Sequence, residues 1–368
     1  MYIWQREHWP KLTWDCQVLS PLLARAARAQ GRLLGRVESL GFDLRAEAHL
    51  STLTQDVVQS SDIEGEKLNT EQVRSSIARR LGVDIGGSAP ADRNVEGVVE
   101  MMLDATGNYT SPLTEDRLCG WHAALFPSGR SGMFKINVGD WRDDATGPMQ
   151  VVSGPVGRQQ IHYEAPPAER LTTEVAAFLH GFESENDTDP LLGAGLAHLW
   201  FVTIHPFDDG NGRIARAIAD MVLARSEGTG QRFYSMSAQI RTERNAYYDI
   251  LESTQKGTCD ITAWQTWFLN CLLRAMDGSD DTLQSVLAKA RFWERFAKAP
   301  LNERQIKVLN RLMDGFEGKL TTSKWAKMAK CSQDTAYRDI LDLIRRGALQ
   351  KDPGGGRSTS YSVIFDRT

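Results

Sequence analysis

The chain has 368 residues, 43 Lys and Arg against 47 Asp and Glu, a net charge of −4 and a pI near 6.0. That length exceeds one typical domain, so a large core with appended modules is expected, and the charge balance excludes a globally basic nucleic-acid binder. Five scattered cysteines (Cys16, Cys119, Cys259, Cys271, Cys331) with no Cys-x-x-Cys read as reduced core residues rather than a disulfide or zinc framework. No apolar run approaches the roughly 20 residues that span a bilayer, and Arg6, Glu7 and Lys11 break up any signal peptide, so the expected location is the cytoplasm.

Residues 1–90 are expected to form a helical N-terminal extension. It opens with Trp4, Trp9 and Trp14, whose plain reading is aromatic packing, and continues with helical spacing through Leu19, Leu22, Leu23 and Ala26 and from Leu33 to Leu40. Ser60-Ser61-Asp62-Ile63-Glu64-Gly65-Glu66 reads as a polar helix end closed by glycine. Val83 to Pro90, with Gly86, Gly87 and Ser88, is a turn-rich linker.

Helical patterns resume from Asn94 to Ala105 and from Glu115 to Phe126, where His122 reads as a packed helix residue. After Gly139-Asp140-Trp141-Arg142, two β-prone runs, Met149 to Ser153 and Arg158 to Tyr163, flank Gly154-Pro155-Val156-Gly157 and predict a hairpin. Pro166-Pro167 then opens a helix from Glu169 to Phe182. Leu191 to Ile204 reads as a buried helix, with Leu196, Leu199, Trp200 and Thr203 at helical spacing, and Ile214 to Leu223 as a second.

Between those two helices lies His205-Pro206-Phe207-Asp208-Asp209-Gly210-Asn211-Gly212-Arg213-Ile214-Ala215-Arg216. Gly210-Asn211-Gly212 falls at a helix N-terminus, where free backbone N–H groups and the helix dipole favour an anion. Glycines admit a phosphate closely, and Asn211 can take a positive φ in a tight turn. Asp209 suits Mg²⁺, which uses a carboxylate or two beside phosphate oxygens. Arg213 and Arg216, one turn apart, can clamp a phosphate chain, and His205 can take a proton from an attacking hydroxyl. A lone His-Pro is usually a helix end, a lone Gly-x-Gly says little, and two arginines alone are usually a solvated face. No second His or Cys lies at zinc-ligand spacing from His205. Taken together, the parts suit phosphoryl or nucleotidyl transfer.

Arg244 to Leu251 contains the adjacent Tyr247 and Tyr248, one of which is expected to face the core, and Trp264 to Leu273 reads as a closing apolar helix. From Asn302 to Met313 a helix is expected with Asn302 as N-cap and Ile306, Leu309 and Leu312 inward. Two more helices follow, Thr321 to Ala329 and Ser332 to Arg346. Gly347 to Lys351 and Thr359 to Val363 then flank the turn Gly354-Gly355-Gly356-Arg357. Three helices and a hairpin make a winged helix-turn-helix, with Thr335, Tyr337 and Arg338 outward. Residues 303–351 hold eleven Lys or Arg against six Asp or Glu, so DNA or a protein is the expected contact there.

The run from His205 to Arg216 matches the His-Pro-Phe-x-Asp/Glu-Gly-Asn-Gly-Arg-x-x-Arg signature of the Fic domain family at every fixed position, and the chain resembles that family. Met1-Tyr2-Ile3-Trp4-Gln5 and Trp14-Asp15 resemble the N-terminal extension of one group of bacterial Fic proteins. The resemblance implies a mainly α fold. Residues 1–90 would be an extension carrying an inhibitory motif, 91–280 a Fic-type helical core with a β-hairpin flap, and 281–368 the winged helix. It further implies a protein adenylyltransferase that moves AMP from ATP to a Ser, Thr or Tyr hydroxyl of a target protein. His205 would then be the general base and Asn211 its catalytic companion, with Asp209 the Mg²⁺ ligand. Gly210, Asn211 and Gly212 would form the anion hole, and Arg213 and Arg216 the phosphate clamps. Val151, Val152, Ser153 and Gly154 of the flap, which aligns the target segment, and Tyr247 and Tyr248 at the base complete the binding set, with Gln255 a further candidate. Ser60, Glu64 and Gly65 resemble the family's inhibitory motif, in which Glu64 would pair with Arg216 and exclude a γ-phosphate. ATP, the protein substrate, a contact at the winged helix and a second copy of the chain are the expected partners, with no membrane. Transfer of another nucleotide or of phosphate, removal of AMP, and a nucleotide-sensing DNA-binding regulator are the alternatives.

Overall fold

The structure is a computed structural model that describes residues 1–365 apart from 86–88, 146, 155–157, 185–187, 298–300, 315, 317 and 354–358. Gly86, Gly87 and Ser88 of the linker, Pro155, Val156 and Gly157 of the hairpin turn, and Gly354 to Arg357 of the late turn therefore lie outside the described residues.

The helical N-terminal extension opens on fifteen residues that precede its first helix. Beyond a 3-10 turn at Ile3–Gln5 they run along the core, tied by Trp4 Nε1 to the Glu164 carbonyl at 2.8 Å, Arg6 Nε to the Gly257 carbonyl at 2.9 Å and Trp9 Nε1 to Glu174 Oε2 at 2.8 Å. Two long helices follow, α1 (Cys16–Glu38), started by Asp15 accepting from the N–H of Gln17 and Val18, and α2 (Phe42–Ile63). Then come α3 (Thr70–Leu81), α4 (Arg93–Gly107) and α5 (Glu115–Leu125), each opened by a side-chain cap, from Asn69, Asp92 and Thr114. Each such cap contributes about 1 kcal/mol. Gly97 lets α4 touch α5, because a Cβ there would overlap the Ala124 carbonyl.

Two antiparallel hairpins follow. The first is a short pair, β1 (Arg130–Ser131) and β2 (Phe134–Lys135); the second is the expected one, β3 (Gln150–Ser153) and β4 (Gln160–Glu164). Val151 pairs with Tyr163 and Val152 with Ile161, so a bulge falls between the two valines. After a 3-10 turn at Ala168–Arg170 come α6 (Leu171–Glu183), α7 (Pro190–Ile204) and α8 (Asn211–Glu227). Helix α7 is apolar on all sides and accordingly lies inside, packed on α8, with Leu199, Phe201, Thr203 and Ile204 buried. Short helices α9 (Met236–Thr242) and α10 (Arg244–Gln255) lead into α11 (Thr262–Phe296).

The boundary expected at 280 falls inside α11, which is continuous for 35 residues. It packs on α1, α2, α7 and α9, and Trp264 Nε1 reaches the Gly195 carbonyl of α7 at 2.7 Å. Its last turns place Phe292 and Phe296 in a second hydrophobic cluster with Val308, Leu309, Trp325 and Ile340. That cluster is built by α12 (Glu303–Met313), α13 (Thr322–Ala329), α14 (Gln333–Arg345) and the antiparallel pair β5 (Leu349–Lys351) and β6 (Tyr361–Val363). Asn302 and Gln305 form a capping box on α12, whose buried apolar residues are Val308 and Leu309, while Ile306 and Leu312 are half-buried. Tyr337 and Arg338 are exposed, whereas Thr335 is half-buried with its hydroxyl against Ser332. The cysteines are free, but only Cys259 and Cys271 are core residues. Cys16 is exposed, and Cys119 and Cys331 are half-buried.

Candidate active site

Helix α7 ends at His205, which takes a left-handed conformation (φ 52°, ψ 55°) as its C-cap. Arg142 holds the turn in place, donating from Nε to the His205 carbonyl at 2.8 Å while its backbone N–H donates to the Pro206 carbonyl at 3.0 Å. Phe207 is buried and stacks on His122 with ring centroids 4.2 Å apart, which keeps that histidine in a packing role; desolvation lowers its pKa to about 4. The loop closes through Asn211, whose Oδ1 accepts from the Phe207 N–H at 3.0 Å and whose Nδ2 donates to the Phe207 carbonyl at 2.8 Å. Among the motif residues it is Gly210 (φ 80°) and His205 that take positive φ; Asn211 is the first helical residue of α8. The expected turn role of Asn211 thus gives way to a side-chain brace, because the carboxamide can satisfy both polar groups of one buried peptide residue.

His205 is half-buried, and its Nδ1 lies 3.2 Å from the Val202 carbonyl. A carbonyl only accepts, so Nδ1 carries the proton and Nε2 keeps the free lone pair. Desolvation lowers the pKa below its ordinary value, against the Val202 hydrogen bond, which raises it. The neutral, base-competent form is therefore the one present at pH 7.

Two arginines and two glutamates meet at the start of α8. Arg216, buried, donates from Nε to Ser60 Oγ and from Nη2 to the Ser60 carbonyl, both at 2.9 Å, and from Nη2 to Glu64 Oε1 at 2.8 Å. Glu64 caps the C-terminus of α2, and Gly65 reverses the chain there at φ 84°. The carboxylate of Glu64 lies on Gly212, where a Cβ would overlap Oε1. Glu66, two residues on, pairs with Arg213, whose guanidinium also lies 5.0 Å from the Phe126 ring centroid. Sequence reasoning missed Glu66. The signal that could have found it is the Glu-Gly-Glu spacing, which offers one carboxylate to each of two arginines one turn apart.

Of the tyrosine pair, Tyr247 turns into the core, its hydroxyl 2.9 Å from His198 Nε2, and so is not exposed for stacking on a base. Tyr248 faces the site, its hydroxyl 3.4 Å from both the Ile63 carbonyl and Glu64 Oε2. Gln255 is buried, with Nε2 3.4 Å from Thr203 Oγ1. The flap is anchored by Tyr163, whose hydroxyl donates to the Thr203 carbonyl at 2.6 Å, two residues before His205. Val151 is half-buried, Val152, Ser153 and Gly154 exposed.

Asp209 accepts from Ser131 Oγ of β1 and from the Gly210 N–H at 2.6 Å, whereas Asp208 turns away to accept from the Asn137 N–H at 2.8 Å. Among the described residues no cluster of three or more His, Cys, Asp or Glu side chains could hold a metal ion. A single carboxylate beside a hydroxyl is a hard-oxygen donor set. It fits Mg²⁺ arriving on phosphate oxygens, and it does not fit a cation held by protein alone.

Residues 112–223 match the Fic/DOC family, and residues 2–83 match a domain of unknown function, DUF4172. The chain carries a Fic/DOC domain. It is 25% identical over 238 residues to a protein adenylyltransferase Fic of Aedes aegypti, covering 61% of this chain and 41% of the relative. A protein adenylyltransferase Fic of Drosophila mojavensis is 25% identical over 228 residues, covering 61% and 40%. The chain thus spans about two fifths of the length of these curated relatives. A Fic family protein of Desulfovibrio desulfuricans shares the fold over 95% of this chain and 97% of its own, at a TM-score of 0.52 and 20% identity. A Fic domain containing signaling protein of Bacteroides thetaiotaomicron does so over 73% and 98%, at 0.50 and 18%. The Fic match brackets α5 to α8, the elements that carry the hairpins and the His205–Arg216 loop.

Proposed function

We propose that this Fic protein transfers AMP from ATP to a Ser, Thr or Tyr hydroxyl of a protein, and that Glu64 restrains it. The observation that carries the reading is the Glu64 carboxylate seated on Gly212 and against Arg216, at a helix N-terminus built for an anion. The internal carboxylate marks the place where a phosphate of the nucleotide would sit. Arg216 keeps its two bonds to Ser60 whichever anion it faces, and its Nη1 has no hydrogen-bond partner among the described residues. Arg213 would grip a second phosphate once released from Glu66, and Asp209 would hold Mg²⁺, which shields phosphate charge when bound.

His205 Nε2 takes the proton of the target hydroxyl, with the Nδ1–H bond to Val202 fixing the tautomer. Asn211 holds the loop that aims the histidine, and the backbone N–H groups of Gly212 and its neighbours receive charge. The edge of β3, from Val151 to Gly154, aligns the target by strand addition, and Tyr248 borders the base. The basic C-terminal module, with Tyr337 and Arg338 exposed on α14, would bring the enzyme to DNA or to a protein partner.

Incubation with ATP radiolabelled at the α-phosphate tests this. Wild type should label weakly, Glu64→Gly strongly, and Glu64→Gly/His205→Ala should lose roughly 10²–10⁴-fold of the gain. Label from the γ-phosphate in place of the α-phosphate would mean phosphoryl transfer. No label from either, alone or with a cell lysate, would leave a nucleotide sensor as the better account.

A further inference from the structure

One buried side chain joins the stem of the flap to the end of α7. Arg142 donates from Nε to the His205 carbonyl at 2.8 Å, from Nη2 to the Pro166 carbonyl at 2.5 Å and from Nη1 to Asp144 Oδ1 at 3.0 Å. Its own N–H adds the bond to the Pro206 carbonyl, and its side chain is fully buried. Pro166 comes straight after the flap closes, where the Ala165 N–H donates to the Met149 carbonyl at 3.0 Å. Asp144 returns to the same stretch, its Oδ2 accepting from the Ala168 N–H at 2.6 Å. A second tie joins the same two parts, the hydroxyl of Tyr163 on the Thr203 carbonyl at 2.6 Å.

Two carbonyls and a carboxylate in three different places suit a guanidinium, whose N–H groups fan out in one rigid plane. Here that rigidity acts on a residue in an uncommon backbone state. His205 holds φ 52° and ψ 55°, a left-handed conformation that a residue other than glycine keeps only where its surroundings over-determine it. The charge has an effect of its own. Desolvation is the main cause of the lowered His205 pKa; the Val202 hydrogen bond opposes it, Arg142 deepens it, and the Asp209 and Glu64 carboxylates raise it. The arginine thus favours the neutral imidazole as well as fixing where it stands.

We infer that Arg142 is a positioning residue for AMP transfer, locking the flap stem and the base His205 into one frame; this rests on the AMP-transfer reading above. A target segment laid on the edge of β3 has its hydroxyl placed by the flap, while Nε2, which takes the proton, is placed by the end of α7. The two must meet within hydrogen-bond reach, about 2.6–3.2 Å, for the proton to pass. A misplacement of about 1 Å costs roughly 10²-fold in rate. Arg142, fully buried, acts through His205 and the flap and not on a substrate.

The test uses the full-length chain carrying Glu64→Gly, incubated with Mg²⁺ and ATP labelled at the α-phosphate. Initial rates of AMP incorporation are measured against ATP concentration and pH, and thermal melts give the folded fraction. Adding Arg142→Lys keeps the charge and loses the fork, whereas Arg142→Met loses both. Each should lower the maximal rate roughly 10²-fold and leave the half-saturating ATP concentration unchanged. Incorporation should rise with pH as His205 gives up its proton. That limb should move to higher pH in Arg142→Met but not in Arg142→Lys, because only methionine removes the charge that lowers the histidine's pKa. Tyr163→Phe, which removes the second tie alone, should lower the maximal rate by less, and it carries the test if Arg142→Met melts below the assay temperature. A maximal rate in Arg142→Lys equal to that of its Glu64→Gly parent would overturn the inference and leave the transfer reading standing. So would a loss that only follows the folded fraction, with the acid limb unmoved in Arg142→Met. No incorporation by the parent at any pH would overturn both.

Discussion

Replacing Glu64 by alanine separates the two parts proposed for it, a partner that stabilises the empty protein and an occupant that excludes a nucleotide. Alanine is chosen because glycine would add chain entropy to the unfolded state. Three hydrogen bonds hold Arg216, and the two to Ser60 at 2.9 Å survive the change, so the guanidinium stays aimed at Gly212 while its charged partner at 2.8 Å is lost. A hydrogen bond to a charged group contributes about 1.5–3 kcal/mol; with the Glu64 side chain 29% exposed, solvent takes part of that back, and a loss of about 1–2 kcal/mol is expected. ATP with Mg²⁺ should reverse the order, since a ligand at a hundredfold excess over its Kd stabilises the folded chain by about 2.7 kcal/mol. Thermal melts of wild type and Glu64→Ala, each with and without ATP and Mg²⁺, make the comparison. The variant should melt lower alone and gain more from the nucleotide. Equal gains in the two proteins would refute the competition between carboxylate and phosphate.

Two further outcomes follow from buried polar groups. Asn211→Ala removes both bonds to the Phe207 peptide groups, leaving a buried N–H and carbonyl exposed to no partner, and should cost about 2–4 kcal/mol in a urea titration; a midpoint within error of wild type would show that the brace carries no load. His198 and His49 are buried, and desolvation lowers their pKa values from 6.5 to about 3 and about 4. The unfolded chain therefore takes up protons first as pH falls below 6.5, so stability is lost toward pH 4.5 by roughly 2–3 kcal/mol per residue. Urea midpoints measured from pH 7 to 4.5 should fall, and fall less in His198→Gln; a flat wild-type profile would contradict it.

How much of this was legible beforehand depended on distance along the chain. The loop between α7 and α8 was readable because every part lies within twelve residues, so glycine, helix start and arginine spacing constrain each other locally. Helix starts at Asn302 and Ser332 were readable for the same reason, as a cap and the N–H groups it serves are three residues apart. The Glu64–Arg216 pairing came from family resemblance alone, since nothing local tells a glutamate which of many arginines it will meet 152 residues later. Likewise the 35-residue length of α11 escaped the periodicity, because its apolar face serves the first cluster and then the second, so the pattern shifts where the partner changes.

By itself, then, the sequence determined the helical character, the glycine-rich turn at a helix start and the chemistry its side chains could perform, all of which follow from backbone preferences and neighbours a few residues away. Tertiary structure alone decided that Glu64 rests on Gly212, that Glu66 takes Arg213, that Arg142 holds the His205 carbonyl, and that His162 meets Glu252. Each of those contacts closes a loop of tens to hundreds of residues. Such closure is set by how the helices pack against one another, and no local pattern encodes it.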